Sequence, residues 1–582
     1  MIRKLAGYLG QYKRVICLEP VVVLIDVIFE LSMPRLMARI VDVGIASRDV
    51  AYIARTGLNM VLMALAAMAL GIINMRLANV GSMGFGANLR DALFAKVQQF
   101  SFTNIDHFST ASLVTRLTND VNNLQLTLMM SLRILLRAPM ILVTAFVMAY
   151  NINAELSVVL AAAIPLLVAG VALILRTATK RFAIVQERID ALNNTLQENL
   201  IAQRVVKAFV RADFETEKFQ IDNDALTRAF IRAVSIVVFN MPMMMLVLNG
   251  ATLAIIWWGG HMLYDGRLGA GELIGFLSYV FLILNSIMMI SIVFVMAARA
   301  QASGRRVLEV LETQVDIVDP PVHAPHASQP QVTAGKVEFR DVAFKYSRTD
   351  TGEEVLSGIS FTAEPGEVVA IVGGTGSGKS TLVSLIPRLY DVSAGAVLVD
   401  GRDVRDHPLD TLRNAIGVVL QRNTLFSGTI RENLLWGRQD ASQAEIEGAC
   451  REAQAHDFIM SFPQGYDTAL GQGGVNLSGG QKQRLCIART ILKRPRILIL
   501  DDSTSAVDSA TEVQIREAFD QHLAQTTVFI IAQRISSVRY ADKIVVLDEG
   551  KVIGVGTHQS LLATNAVYQE INQSQQQGVL AQ

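Results

Sequence analysis

Uncharged apolar runs crowd the first three hundred residues and then stop. Residues 156–175, 233–264 and 273–298 contain no Asp, Glu, Lys or Arg, and each reaches the roughly 20 residues needed to cross hydrocarbon. Residues 56–75 qualify as well. The run 138–154 is shorter but is extended by LMMSLRILL before it, and 16–40 is apolar apart from a few charges, which gives six expected spans. An even number returns the chain to its starting side. With 51% hydrophobic and 18% charged residues, a length of 582 does not read as a string of soluble domains.

Lysine and arginine sort the loops. Residues 176–232 carry ten of them, the turn 151–155 carries none, and 265–271 has only Arg267, which places the long loops in the cytoplasm. The two long loops, about 80–130 and 176–232, have helical spacing, so the membrane helices are expected to continue into the cytoplasm. Each is interrupted once, by SFTNIDHFSTAS at 101–112 and AFVRADFETEKF at 208–219. From spacing alone, each interruption is either a short crosswise helix contacting another domain or a solvated turn. The basic start MIRKLAGYLGQYKR is followed by Glu19, Asp26 and Glu30 without a small-residue cleavage site, so a retained cytoplasmic N-terminus is expected.

The formal net charge is zero, which gives no overall field for nucleic acid. Cys17, Cys450 and Cys486 lie far apart with no CxxC spacing, which argues against a disulfide framework or a cysteine zinc site. No internal repeat is evident. Residues 313–336 hold Pro320, Pro321, Pro325 and Pro330 with little periodicity and read as a linker. The expected division is therefore a membrane domain over 1–312, the linker, and a second domain over 337–575. There, short apolar runs such as VVAIV and ILIL alternate with helical segments, the pattern of an α/β domain with a mostly parallel sheet.

That second domain carries the chemistry. Residues 373–381 read GGTGSGKST between the strand-like EVVAIV and the helix-like LVSLIPRL, satisfying GxxxxGKS in its strand, loop, helix context. Gly373, Gly374, Thr375, Gly376, Ser377 and Gly378 form a cradle whose glycines let backbone N–H groups turn towards phosphates. Lys379 is placed to reach the β- and γ-phosphates and Ser380 to ligate magnesium, and Thr381 completes the nucleotide-binding set. The strand ILIL ends in Asp501, a second carboxylate on the magnesium side.

Between cradle and strand lies LSGGQ at 477–481, followed by KQR. With the cradle, it makes the sequence resemble an ATP-binding cassette (ABC) transporter over nearly the whole chain. The resemblance implies that Tyr346 stacks on adenine, that Gln421 is the loop glutamine near magnesium, and that SAVD at 505–508 is the D-loop. It implies ATP and Mg2+ as ligands, and makes the two helix interruptions look like coupling helices that touch the cassettes. One six-helix membrane domain ahead of one cassette resembles a bacterial exporter half-transporter of the cytoplasmic (inner) membrane, with the cassette in the cytoplasm. Two such chains pair head to tail in this family. Ser478, Gly479, Gly480 and Gln481 are then expected to contact the γ-phosphate of ATP held by a second chain.

The sequence departs from the family at the place of cleavage. The family's hydrolytic base is a glutamate directly after the Walker B aspartate; here that place is Asp502, one methylene shorter. The family's switch histidine is Gln533, Ser503 replaces the usual alanine or proline, and Gln472 stands where a glutamate is common. The chain therefore resembles the degenerate-site subunit of a heterodimeric multidrug exporter. Other readings are a homodimeric exporter, a lipid or lipopeptide flippase, and a nucleotide-sensing regulatory subunit.

For cargo the sequence says less. Glu19, Asp26 and Glu30 are spaced seven and four apart and share one helical face. Asp26 is the candidate for a group lining a cavity for cationic, amphipathic cargo, with Asn249 and Asn285 near methionine clusters that are either adaptable lining or lipid-facing filler. Trp257, Trp258 and Tyr264 mark an expected interfacial belt.

Overall fold

The computed structural model describes residues 1–320, 331–346, 354–502, 509–522, 525–532 and 534–580. The chain forms two compact units, one of residues 1–98 and 111–312, the other of residues 99–110 and 313–582. The first is helical. Among the described residues, five helices are long and apolar enough to cross a membrane: Val50–Gln98, Thr110–Ile152, Ala154–Ile201, Ala212–Tyr264 and, within helix Ala270–Glu312, the stretch Ala270–Ile287. At 1.5 Å per residue, the 48 residues of Ala154–Ile201 reach about 70 Å, more than twice the hydrocarbon thickness. The sixth expected span is helix Lys13–Arg39, whose 27 residues are long enough to cross but whose Glu19, Asp26, Glu30, Arg35 and Arg39 dilute its apolar content.

Proline sits inside these helices without ending them. Pro20 and Pro34 lie in Lys13–Arg39 and Pro165 in Ala154–Ile201, as packed neighbours in a membrane helix allow. Buried Tyr279 donates its hydroxyl to the carbonyl of Leu31 at 2.6 Å, three residues before Pro34. The core joins Val23, Val27 and Leu31 to Leu160, Ile255 and Phe276. Near the end of the first helix, Asp42 accepts bonds from the backbone N–H groups of Gly271 (2.6 Å) and Glu272 (2.9 Å), answering two of the orphan donors at a helix start. A Cβ on Gly271 would lie 2.3 Å from the Ala38 carbonyl oxygen, so this approach requires glycine.

Charged pairs fix the polar extensions of these helices. Arg306 holds the buried Asp120 through two nitrogens, one at 2.7 Å, and Arg116 donates to Glu309 at 2.8 Å. Both pairs tie the segment 110–130 to helix Ala270–Glu312.

The second unit contains two main sheets. A four-stranded antiparallel sheet orders Leu356–Ala363, Val337–Phe344, Ala394–Val399 and Arg402–Asp403. A six-stranded sheet orders Lys551–Gly556, Lys543–Asp548, Val368–Gly373, Thr527–Ile531, Ile497–Asp501 and Ile416–Val419. All its pairings are parallel except that of the edge strand Lys551–Gly556. Every residue of Ile497–Asp501 is buried, the signature of a strand covered on both faces. Residues 99–110 belong to this unit through helix Phe102–Phe108. Ser101 and Asn104 cap it reciprocally, Tyr390 donates to Asp106 at 2.9 Å, and Asn104 donates to the Gln314 carbonyl at 3.2 Å.

Candidate nucleotide-binding site

Ligands of an open parallel sheet gather at the carboxyl ends of its strands. Three such ends gather here: Ile531 pairs with Asp501 on one side and with Ile371 on the other, where strand Val368–Gly373 runs two residues further. The loop after Val368–Gly373 runs through Gly374–Gly378 into helix Lys379–Ser384. Gly378 starts that helix at φ +94°, and a Cβ there would lie 2.7 Å from Leu356 Cδ2, so the turn is closed to other residues. At Gly374 and Gly376 a Cβ would meet nothing within 4 Å, which leaves the loop backbone open. Buried Ser377 bonds back through its N–H to the Gly374 carbonyl at 3.3 Å, and Thr375 continues the open loop.

Two charged groups of the site, Lys379 and Asp501, interact electrostatically next to this loop. Lys379 Nζ donates to the carbonyls of Gly373 (3.0 Å) and Gly374 (2.6 Å), and burial lowers the pKa of its amine. Ser380 Oγ donates to Asp501 Oδ1 at 2.9 Å. Burial raises the Asp501 carboxyl above the usual aspartate value, the serine bond opposes this, and neighbouring Asp502 adds to it. A hydroxyl bonded to a carboxylate beside a cationic amine suits a magnesium nucleotide, with Lys379 for the phosphates and Ser380 and Asp501 for the metal. A magnesium ion held there would supply charge neutralisation on the phosphates.

Asp502 follows at φ +47°, with its N–H bonded to the Ile531 carbonyl at 3.0 Å. Burial raises its carboxyl too, while Lys379 and Arg534 pull it down. Gln533 lies outside the described residues, as do Ser503 and residues 505–508. Tyr346 bonds Thr381 through its hydroxyl at 3.0 Å and packs edge-on to Phe344 and Tyr390. It borders a cavity of about 740 Å³ that Asp106, Thr313 and Tyr390 also line. Gln421 is exposed in the loop after Ile416–Val419, at the far edge of the sheet.

The LSGGQ motif opens helix Gly479–Leu492. Ser478 caps it, accepting from the Gln481 N–H at 3.3 Å while Gln481 Oε1 accepts from the Ser478 N–H at 2.9 Å. The cap uses a serine lone pair and leaves its proton available. Ser478 and Gly479 are exposed, and Gly480 begins the first turn with them. Two contacts here were not expected from sequence. Buried Gln483, four residues into the helix from Gly480 counting inclusively, donates to the Asp502 carbonyl at 3.4 Å, and Asp106 joins Tyr390 across 284 residues. Only KQR after LSGGQ hinted at the first.

The chain matches the family model described as ABC transporter transmembrane region over residues 16–288, and that described as ABC transporter over 356–505. A relative from Bacillus subtilis (strain 168), the uncharacterized ABC transporter ATP-binding protein YfiB, is 39% identical over 574 residues, covering 99% of this chain and 98% of that protein. The chain belongs to the ABC transporter family. The transporter is also 35% identical over 491 residues to an ATP-dependent lipid A-core flippase of Syntrophus aciditrophicus (strain SB), covering 84% of this chain and 80% of that one. A solved bacterial Atm1-family ABC exporter with ATP bound superposes with a TM-score of 0.77 at 27% identity, covering 97% of the transporter and 99% of that chain. The transporter thus has the exporter fold, a helical membrane domain fused to an ATP-binding cassette.

In the transporter's membrane unit the expected cargo residues are dispersed. Asp26 is buried and lies 3.4 Å from Arg137, which also bonds Glu30 at 2.7 Å. The charge expected to face a cation is answered by an arginine. Glu19 is fully buried, and neither carboxyl oxygen has a hydrogen-bond partner among the described residues. Asn249 is exposed on helix Asn240–Tyr264, and Asn285 is half-buried on Ala270–Glu312.

Proposed function

We propose that the transporter is one half of a heterodimeric exporter of amphipathic small molecules in the cytoplasmic membrane. Its own cradle is the slow ATP site, and its LSGGQ completes a competent site on the partner. The observation that carries this reading is Asp502: a carboxylate one methylene short, directly after Asp501, on left-handed backbone. A displacement of about 1 Å in a positioned group costs on the order of a hundredfold in rate. Gln533 supports the same reading, since a neutral amide replaces an imidazole able to carry positive charge.

Binding then survives where cleavage is weak. Lys379, Ser380 and Asp501 hold the magnesium triphosphate, and Ser478 and the first N–H groups of its helix reach the nucleotide of the second chain. Closure of two cassettes does the mechanical work, and cleavage at the partner's cradle resets it. A second reading, lipid or lipopeptide flipping, draws on the relatives named lipid A-core flippases. The test is ATPase in proteoliposomes with the paired chains: stimulation by amphipathic drugs supports export of small molecules, and stimulation by lipid A or lipopeptide alone replaces it with flipping.

A further inference from the structure

Helices Ala154–Ile201 and Ala212–Val238 pack side by side and enclose a concavity of about 220 Å³. Four of its lining residues are arginines, Arg181 and Arg188 from one helix and Arg228 and Arg232 from the other. Spacings of seven and four keep each pair on one helical face. No acidic side chain lines the concavity, and no hydrogen bond or ion pair joins any of the four to another described residue. Farther along, the same helices do pair their polar groups: Lys218 with Glu198 and Thr195 with Asp222. At this end the four arginines have no such described partner.

Its depth is set by the sequence. The apolar run 156–175 ends six residues before Arg181, and the run 233–264 starts directly after Arg232. At about 1.5 Å per residue, Arg181, Arg228 and Arg232 fall within roughly 10 Å of the hydrocarbon edge, the depth of lipid headgroups. Arg188 lies deeper in the cytoplasm. Phe230 and Ile231, both more than half exposed, stand between Arg228 and Arg232 in sequence. Orienting the chain requires only positive charge near the span ends. It does not require four guanidinium groups converging from two helices on one concavity, where they repel unless an anion joins them.

We propose that this concavity binds the phosphate-bearing headgroup of an anionic phospholipid from the cytoplasmic leaflet. Guanidinium forks take the phosphate oxygens in pairs, and the acyl chains lie along the apolar runs next to them. The site is independent of which cargo the transporter exports.

The full chain, extracted from vesicles of equal phosphatidylglycerol and phosphatidylcholine, is examined by native mass spectrometry for retained lipid. Wild type is expected to retain phosphatidylglycerol over phosphatidylcholine by about tenfold, given the favourable contribution of each basic group near an anionic surface. Arg228→Gln with Arg232→Gln is expected to bring the ratio near one. Arg228→Lys with Arg232→Lys keeps the charge but loses the fork, and is expected to fall between. Nucleotide affinity and melting temperature serve as folding controls for all variants. Unchanged enrichment in the glutamine variant overturns the proposal. So does inorganic phosphate that reproduces, in delipidated protein, the thermal stabilisation given by phosphatidylglycerol, since the site then takes a free anion.

Discussion

Two carboxylates stand next to each other at the end of strand Ile497–Asp501, and their surroundings differ. Asp501 is 7% exposed and engaged by the Ser380 hydroxyl on regular strand backbone. Asp502 is half-buried, turned aside at φ +47°, with its backbone held by Ile531 and Gln483. The first sits among the parts proposed to hold a nucleotide; the second occupies the place proposed for the base and is one methylene shorter than glutamate. On the proposed reading, holding and cleaving are served by adjacent residues, and one function is separable from the other.

Removing a holding part tests the comparison hardest. Lys379→Ala is expected to weaken ATP binding by about a hundredfold, the scale of one or two charge-assisted bonds, measured by equilibrium binding of a labelled nucleotide. Affinity unchanged within a few-fold breaks the assignment of the cradle. Asp502→Glu lengthens the side chain, and turnover at this site is expected to rise about tenfold, short of the hundredfold that a full 1 Å correction gives, because Gln533 remains. Single-turnover hydrolysis measures it, and a rise to the partner's rate removes Gln533 from the account.

Acidification probes Asp501. Its raised pKa means that the proton is held to higher pH than on an ordinary aspartate, and a protonated carboxyl does not bind magnesium. Magnesium-dependent nucleotide affinity is therefore expected to fall a few-fold as pH drops, before exposed aspartates titrate near about 4. A profile flat down to that range contradicts it. The smallest effect is expected for Asp502→Asn, which leaves ATP affinity within about twofold, since a cleaving group contributes little to ground-state holding. A loss as large as that of Lys379→Ala merges the two functions.

Much of this arrangement was legible in the sequence because its signals are local. Uncharged runs of hydrocarbon length give the membrane helices, and GGTGSGKST carries strand, loop and helix in nine consecutive residues with their flanks. The helix Lys13–Arg39 was legible as a run apolar apart from a few charges, and its carboxylates weaken that signal. Contacts between distant residues left no periodic trace: Arg306 on Asp120, Asp42 on the start of helix Ala270–Glu312, and Tyr390 on Asp106 each join groups that read singly as surface polar residues. For the same reason Asp26 read as open to cargo, whereas Arg137, 111 residues away, lies against it.

The most direct test is steady-state ATPase of the purified chain, alone and with its partner half-transporter. A low rate for the chain alone, unaffected by Asp502→Ala, and a high rate for the pair is the predicted result. Rapid hydrolysis by the chain alone that Asp502→Ala abolishes contradicts the account.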